Sequence, residues 1–259
     1  MNLSPIRKAL SSIRTSGGKT SGLPPVRALL MGGHACVLYG AAEFGRDLDL
    51  LVLADPESLK GLEMGLAALE AERIAVPPFD SKHLTRGHAI HFRCHRADVA
   101  GLLIDIMSQL RGVAPFEELW RRRSTIESDG EPIDVLAIED LVRAKKTQRG
   151  KDWPMISRLV ERSYFSKEPN PPAEPIRFWL RELRSADLLI EVSAAFPEQA
   201  ALAANSRSAL ASAIRMDPAQ TATLLIEEEK TERERDRQYW APLKRELETL
   251  RRRGGAFPP

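Results

Sequence analysis

The stretches Leu29-Leu30-Met31-Gly32-Gly33-His34 and Arg46-Asp47-Leu48-Asp49-Leu50-Leu51-Val52 decide the fold. One apolar run closes on paired glycines. The next opens on two carboxylates a single residue apart. Side chains alternate faces along a strand, so Asp47 and Asp49 project from one face while Leu48 and Leu50 turn into a core. Carboxylates this close repel each other unless a cation sits between them. Hard oxygen donors suit a hard divalent cation such as Mg²⁺.

A third acid extends the pattern. Leu102-Leu103-Ile104-Asp105-Ile106-Met107 is an apolar run broken by one Asp. A strand this apolar is expected to be buried on both faces, where an ionised Asp is costly unless paired or bound to a cation. Beside the Asp47/Asp49 strand it would bring three carboxylates together. Three carboxylates can hold two metal ions, which stabilise attacking and leaving oxygens in phosphoryl or nucleotidyl transfer. Gly32 and Gly33 lack Cβ atoms, so their backbone can approach a phosphate closely. The residues from His34 to Ala42 read as the start of a short helix, whose N-terminal N–H groups attract a triphosphate.

With these residues in view, the chain resembles the polymerase-β-like nucleotidyltransferase superfamily. The resemblance rests on Met31-Gly32-Gly33, Asp47-Leu48-Asp49 and Ile104-Asp105-Ile106. The segment Val135 to Lys145, followed by Arg149-Gly150-Lys151-Asp152, looks like the small toxin-type (AbiEii-like) nucleotidyltransferases of bacterial abortive-infection systems. The resemblance spans about residues 25–160. It implies transfer of a nucleotide from an NTP with two Mg²⁺ ions held by Asp47, Asp49 and Asp105. It further implies that Gly32, Gly33, Lys145 and Asp152 serve the nucleotide. The acceptor it implies is an RNA end such as that of tRNA, a protein or a small molecule, and a toxin of this kind has a cognate antitoxin. The alternative is a module that binds nucleotide or protein on the same fold without turnover. Gly45-Arg46 stands where Arg-x-Thr is often found in that superfamily.

Composition narrows the class. The chain has 259 residues and a formal charge of +2, so nothing in its balance demands a broad nucleic-acid footprint. Cys36 and Cys94 form neither a disulfide framework nor a metal-knuckle spacing, which suits a reducing cytoplasm. No run approaches the ~18 apolar residues of a membrane span, and no apolar segment follows Arg7-Lys8 as a secretory signal would require. Ser16-Gly17-Gly18-Lys19-Thr20 is not a P-loop, because Ile13 occupies the position of the first required glycine.

The expected fold is α+β, a nucleotidyltransferase-like mixed sheet flanked by helices with an appended C-terminal helical domain. Residues 1–24 read as a flexible segment containing a short amphipathic helix, 25–165 as the catalytic domain, 166–175 as a Pro-rich linker and 176–259 as helices. Strands are expected at Ala28–Met31, Leu48–Ala54, Ala89–His95, Leu102–Met107 and Ile133–Leu136. Helices are expected over Pro56–Arg73 and Ile138–Lys146. Asp152 and Asp217 are placed to cap the helices that follow them, and Pro242 to kink or split the last one. His88, His91 and His95 do not converge on one ion if they share a strand, and His91 is expected near the substrate because its strand should pair with the Asp105 strand. Arg121-Arg122-Arg123 reads as a surface face or a contact for RNA or phosphate, and Lys145 and Lys146 point in different directions on a helix, one toward phosphate and the other toward solvent. Trp179, Arg181 and Arg184 are the residues expected to present an acceptor if the helical domain closes the cleft.

Overall fold

A computed structural model describes residues 4–16 and 22–253. Gly17 to Thr20, the rejected P-loop segment, lies outside the described residues. In chain order the elements are α1 (Ser4–Thr15), β1 (Ala28–Leu30), α2 (Gly32–Leu38), β2 (Leu48–Val52), α3 (Pro56–Ala68), β3 (Ala71–Arg73), α4 (Ser81–Thr85), β4 (Ile90–Cys94), β5 (Leu103–Met107), α5 (Phe116–Arg121), β6 (Ser124–Ser128) and β7 (Glu131–Val135). There follow α6 (Ile138–Ala144), a 3₁₀ turn at Gly150–Asp152, α7 (Trp153–Phe165), α8 (Ala173–Glu182), α9 (Ala186–Ala195), α10 (Pro197–Ala204), α11 (Ser208–Ile214) and α12 (Pro218–Arg253). The chain is therefore α+β: a mixed sheet flanked by helices, with a helical C-terminal region, as the sequence leads one to expect.

The strands form one sheet in the order β3-β4-β5-β2-β1-β7-β6. β2 is parallel to β5 and β1 to β7, and the other pairings are antiparallel. The centre of the sheet carries the apolar load. Leu29, Leu30, Leu48, Leu50, Leu51, Ile104 and Ile106 are all fully buried. β2 and β5 alternate, with acids at Asp49 and Asp105 between these inward leucines and isoleucines.

The elements absent from the expected set are short or at an edge. α3 stops at Ala68, earlier than the expected Arg73, because Glu70 adopts a left-handed φ of 50° and the chain returns to pair β3 with β4. β6 and β7 make a hairpin through Asp129-Gly130, with φ 51° and 81°, the backbone that a two-residue turn of this kind needs. α1 is more than part of a flexible arm. It buries Ile6, Ala9, Leu10 and Ile13 and packs on α3, while Arg14 donates to the Pro132 carbonyl at 2.8 Å.

The chain divides into two compact units, and the division differs from the expected one at 166–175. The first unit comprises Met1–Leu38, Ala42–Ala144 and Trp240–Pro259, and the second Tyr39–Ala41 and Lys145–Tyr239. The prolines after Phe165 end one helix and precede another inside the second unit. There Tyr164, Phe178 and Trp179 are buried, with the Tyr164 and Trp179 rings edge to face at 5.3 Å. Burial and a 2.6 Å hydrogen bond to Glu191 push the Tyr164 phenol up to about 12. Arg207 is the polar keystone of this unit. It donates to the carbonyls of Leu180 at 2.6 Å and Leu183 at 2.7 Å and pairs with Glu228 at 3.0 Å.

The helix ends separate caps that form from one that does not. Asp217 accepts from the Gln220 N–H at 2.9 Å, and α12 then runs unbroken through Pro242. Asp152 makes no capping bond to α7. Its carboxylate is taken by the Thr147 hydroxyl and by Arg149 at 2.7 Å. Among the described residues no helix is long and apolar enough to cross a membrane.

Two substitutions test these assignments by chemical denaturation. Ile13→Ala should cost about 2–5 kcal/mol, the range for deleting a buried aliphatic side chain; an undocked arm would show no loss. Arg207→Ala should cost about 3 kcal/mol by stranding two carbonyls, near the low end for a broken buried pair because Arg184 still reaches Glu228 at 3.1 Å.

Candidate active site

Asp49 sits in the middle of the sheet, and its neighbours across two ladders are polar. Parallel pairing sets Asp49 opposite Asp105, and antiparallel pairing sets Asp105 opposite His91. The three side chains therefore stand at one level on β2, β5 and β4. Adjacent strands are about 4.8 Å apart, close enough for neighbouring carboxylates to share a cation. Asp47 lies two residues before Asp49, at the entrance to β2. All four are half-buried, whereas Leu48, Leu50, Ile104 and Ile106 between them are buried.

Gly32 explains why a glycine is needed where β1 ends. Its φ is +69°, and a Cβ built there would lie 1.8 Å from Asp49 Oδ2. Any side chain would thus collide with the carboxylate as well as strain the backbone. Gly33 N–H donates to the same oxygen at 3.4 Å, and Met31 N–H donates to the Asp49 carbonyl at 3.0 Å. The glycine pair and the β2 acid therefore pack as one structural unit.

Two histidines complete the immediate surroundings. His34, buried on α2, has Nδ1 2.8 Å from the Asp47 carbonyl oxygen. A carbonyl only accepts, so Nδ1 carries the proton, and the bond fixes the backbone at Asp47. His91 Nδ1 lies 2.7 Å from Asp105 Oδ1. That hydrogen bond raises the imidazole above its ordinary value of 6.5, against the opposing effect of burial and with help from the charges of Asp105, Asp49 and Asp47. The pairing of the His91 strand with the Asp105 strand was legible in the sequence. His34 carried no signal beyond following two glycines.

The other sequence candidates have ion-pair or hydrogen-bond partners of their own. Lys145 and Asp152 belong to the second unit, where they pair at 3.5 Å and both are buried. Lys146 is paired with Glu182 at 2.6 Å, so neither lysine is the solvent-facing member of the pair that consecutive helical positions suggest. The arginine run does structural work. Arg122 forks onto buried Asp140 at 2.6 and 2.8 Å, and Arg123 bonds Asp134 at 2.8 Å while lying 4.1 Å over the Trp120 ring. Trp179 is buried with its indole N–H on Ser163 at 3.0 Å, and Arg184 is tied to Glu228. Arg181, the third of the expected residues, is exposed and bonds the neighbouring Glu182 at 3.1 Å.

No family model matches the chain, and no curated protein does. Among solved structures it is similar to the antibiotic-resistance factor ANT(2'')-Ia in solution, at 14% identity and a TM-score of 0.36 over 77% of this chain and 93% of that one. The crystal structure of ANT(2'')-Ia with adenylyl-2''-tobramycin gives 14% and 0.36 over 75% and 95% of the two chains. An antigenic nucleotidyltransferase-like protein from Paracoccidioides brasiliensis gives 15% and 0.38 over 82% and 91%.

The His91–Asp105 bond has a readable pH signature. A raised imidazole contributes stability that is complete below its unfolded value and disappears as pH rises through the folded one. Titration followed by NMR should place His91 above 6.5 in the wild type and closer to that value in Asp105→Asn. His91→Gln should lose more stability near pH 5 than near pH 9. Equal losses at both would exclude the bond.

Proposed function

We propose that the chain is a divalent-metal-dependent nucleotidyltransferase. The observation that carries this reading is the register of Asp49 against Asp105 on adjacent parallel strands, with the Gly32 backbone against the Asp49 carboxylate. The donor set is carboxylate oxygen, which fits Mg²⁺ better than a softer ion. Asp47, Asp49 and Asp105 would hold two such ions. When bound, Mg²⁺ supplies charge neutralisation for the triphosphate and lowers the cost of ionising an acceptor hydroxyl.

The chain's own residues do the positioning. Gly32 leaves room for the Asp49 carboxylate, and the Gly32-Gly33 backbone would lie beside the phosphates. His34 holds the backbone at Asp47. His91 orients the Asp105 carboxylate through a single short bond, which leaves the other carboxylate oxygen for a cation. In the transfer itself the acceptor hydroxyl would pass its proton to the Asp105 carboxylate, its oxygen would bond to the α-phosphorus, the bond to the bridging oxygen would break, and pyrophosphate would leave. Such chemistry depends on alignment and fixed charge more than on covalent steps by the protein. Lys145 and Asp152 enter this proposal on the motif order alone.

The acceptor is an RNA end, a protein or a small molecule, and the toxin-type motif order favours a toxin held in check by a cognate antitoxin. Incubating the full chain with each labelled NTP, Mg²⁺ and cell extract should transfer label and release pyrophosphate. Asp49→Asn and Asp105→Asn should each lower the rate on the order of 10²-fold or more. Undiminished labelling by either variant would refute the assignment. Tight NTP binding with no turnover on any acceptor would favour the non-catalytic module instead.

A further inference from the structure

A second cluster of metal-ligating side chains lies apart from the carboxylates. It is built by the end of a helix. α4 terminates with Arg86 as its last cap and Gly87 in the left-handed region at φ +94°. The His88 N–H donates to the His83 carbonyl at 3.0 Å, and the Gly87 N–H to the Leu84 carbonyl at 2.9 Å. These are the paired bonds of a Schellman cap, whose geometry brings the residue after the glycine over the helical residue five positions earlier. In most helices that contact is between two apolar side chains. Here it is between two histidines.

Both rings are more than nine-tenths buried, and their centroids are 5.8 Å apart. His83 Nδ1 is buried without a hydrogen-bond partner. His88 Nε2 is also buried and lies 3.1 Å from Glu246 Oε2 without hydrogen-bond alignment. Glu246 reaches in from α12, within the same compact unit. One ligand atom from each of His83, His88 and Glu246 lies within 4.8 Å of the others. Buried ring nitrogens left unpaired are costly, and a shared cation would satisfy them together.

We propose that His83, His88 and Glu246 form a Zn²⁺ site, with water as the fourth ligand. Two imidazoles and one carboxylate are a zinc donor set. The 3.1 Å between His88 Nε2 and Glu246 Oε2 is close to the ~3.3 Å edge of a tetrahedron with bonds of ~2.0–2.1 Å. Solvent reaches the donors from the Glu246 side, which suits one open position rather than three. Burial lowers the His83 imidazole from its ordinary value, which favours the neutral form whose lone pair a metal takes. One competitor is present. Arg86 contacts Glu246 Oε2 at 2.7 Å, but its side chain is 60% exposed and can turn into solvent. The site is independent of the proposed transfer reaction. Bound zinc would fasten α12 to the turn between α4 and β4.

Calorimetry on the full chain, stripped of metal and titrated with Zn²⁺ in excess Mg²⁺, tests this. The wild type should bind one Zn²⁺ that Asp49→Asn also binds. His88→Ala and Glu246→Gln should each weaken binding by about 100-fold. Arg86→Ala should tighten it. Glu246 is partly exposed, so its variant keeps the test open if the buried histidine variant fails to fold. At the same Zn²⁺ concentration the Tm of the wild type should rise more than that of Glu246→Gln, and Co²⁺ in its place should show a tetrahedral visible spectrum. Failure of the wild type to bind Zn²⁺, or equal binding by Glu246→Gln, would overturn the site and leave a metal-free ion pair.

Discussion

The register between β2 and β5 is the constraint on which both the core and the candidate site depend. Leu48 pairs with Ile104, Asp49 with Asp105 and Leu50 with Ile106. Burial of the aliphatic residues on one face holds the two acids side by side on the other. A slip of one residue would drive one acid of the pair into the core and turn leucines out, so hydrophobic packing enforces the register. The repulsion this creates between Asp49 and Asp105 is met in part by the Gly33 N–H and by His91. Packing energy is thus what keeps like charges close, and a divalent cation is the natural partner for what remains.

Much of this was legible. The period-two alternation around Asp49 and Asp105 located both strands, because central strands carry their signal in their own residues. The glycines after Met31 located the turn, although only the structure shows that the Asp49 carboxylate fills the space a Gly32 Cβ would need. β3 has three residues and no apolar pattern of its own; pairing with β4 makes it a strand. β6 is polar on most positions, and its identity lies in Asp129-Gly130, a hairpin signal outside the apolar pattern. Asp152 could have capped α7 by position. It does not, since Thr147 and Arg149 compete for the same oxygen. The histidine pair required a different template. Read along a strand, His88 belongs with His91 and His95; read as the end of a helix, His-x-x-x-Gly-His places it on His83.

Charge in this protein is used internally. Arg122 with Asp140, Lys146 with Glu182 and Arg207 with Glu228 each join different elements, and Arg123 with Asp134 ties the start of β6 to its hairpin partner β7. Burial lowers the Lys146 ammonium from its ordinary value, while Glu182 opposes the shift. Such pairs add little net stability over apolar packing but are expensive to break singly, so they fix which elements meet. This is why a run of three arginines and a pair of lysines need not mark a nucleic-acid surface in a chain whose formal charge is only +2.

On the proposed function, the acids on β2 and β5 hold the cations that bind a nucleoside triphosphate. The most direct measurement is anomalous diffraction from crystals grown with Mn²⁺ and a non-hydrolysable NTP. Two peaks about 3.5–4 Å apart are expected, ligated by Asp49 and Asp105 and touching the triphosphate, with the nucleotide's phosphates beside Gly32 and Gly33. Nucleotide bound elsewhere, or no manganese at these carboxylates, would contradict it.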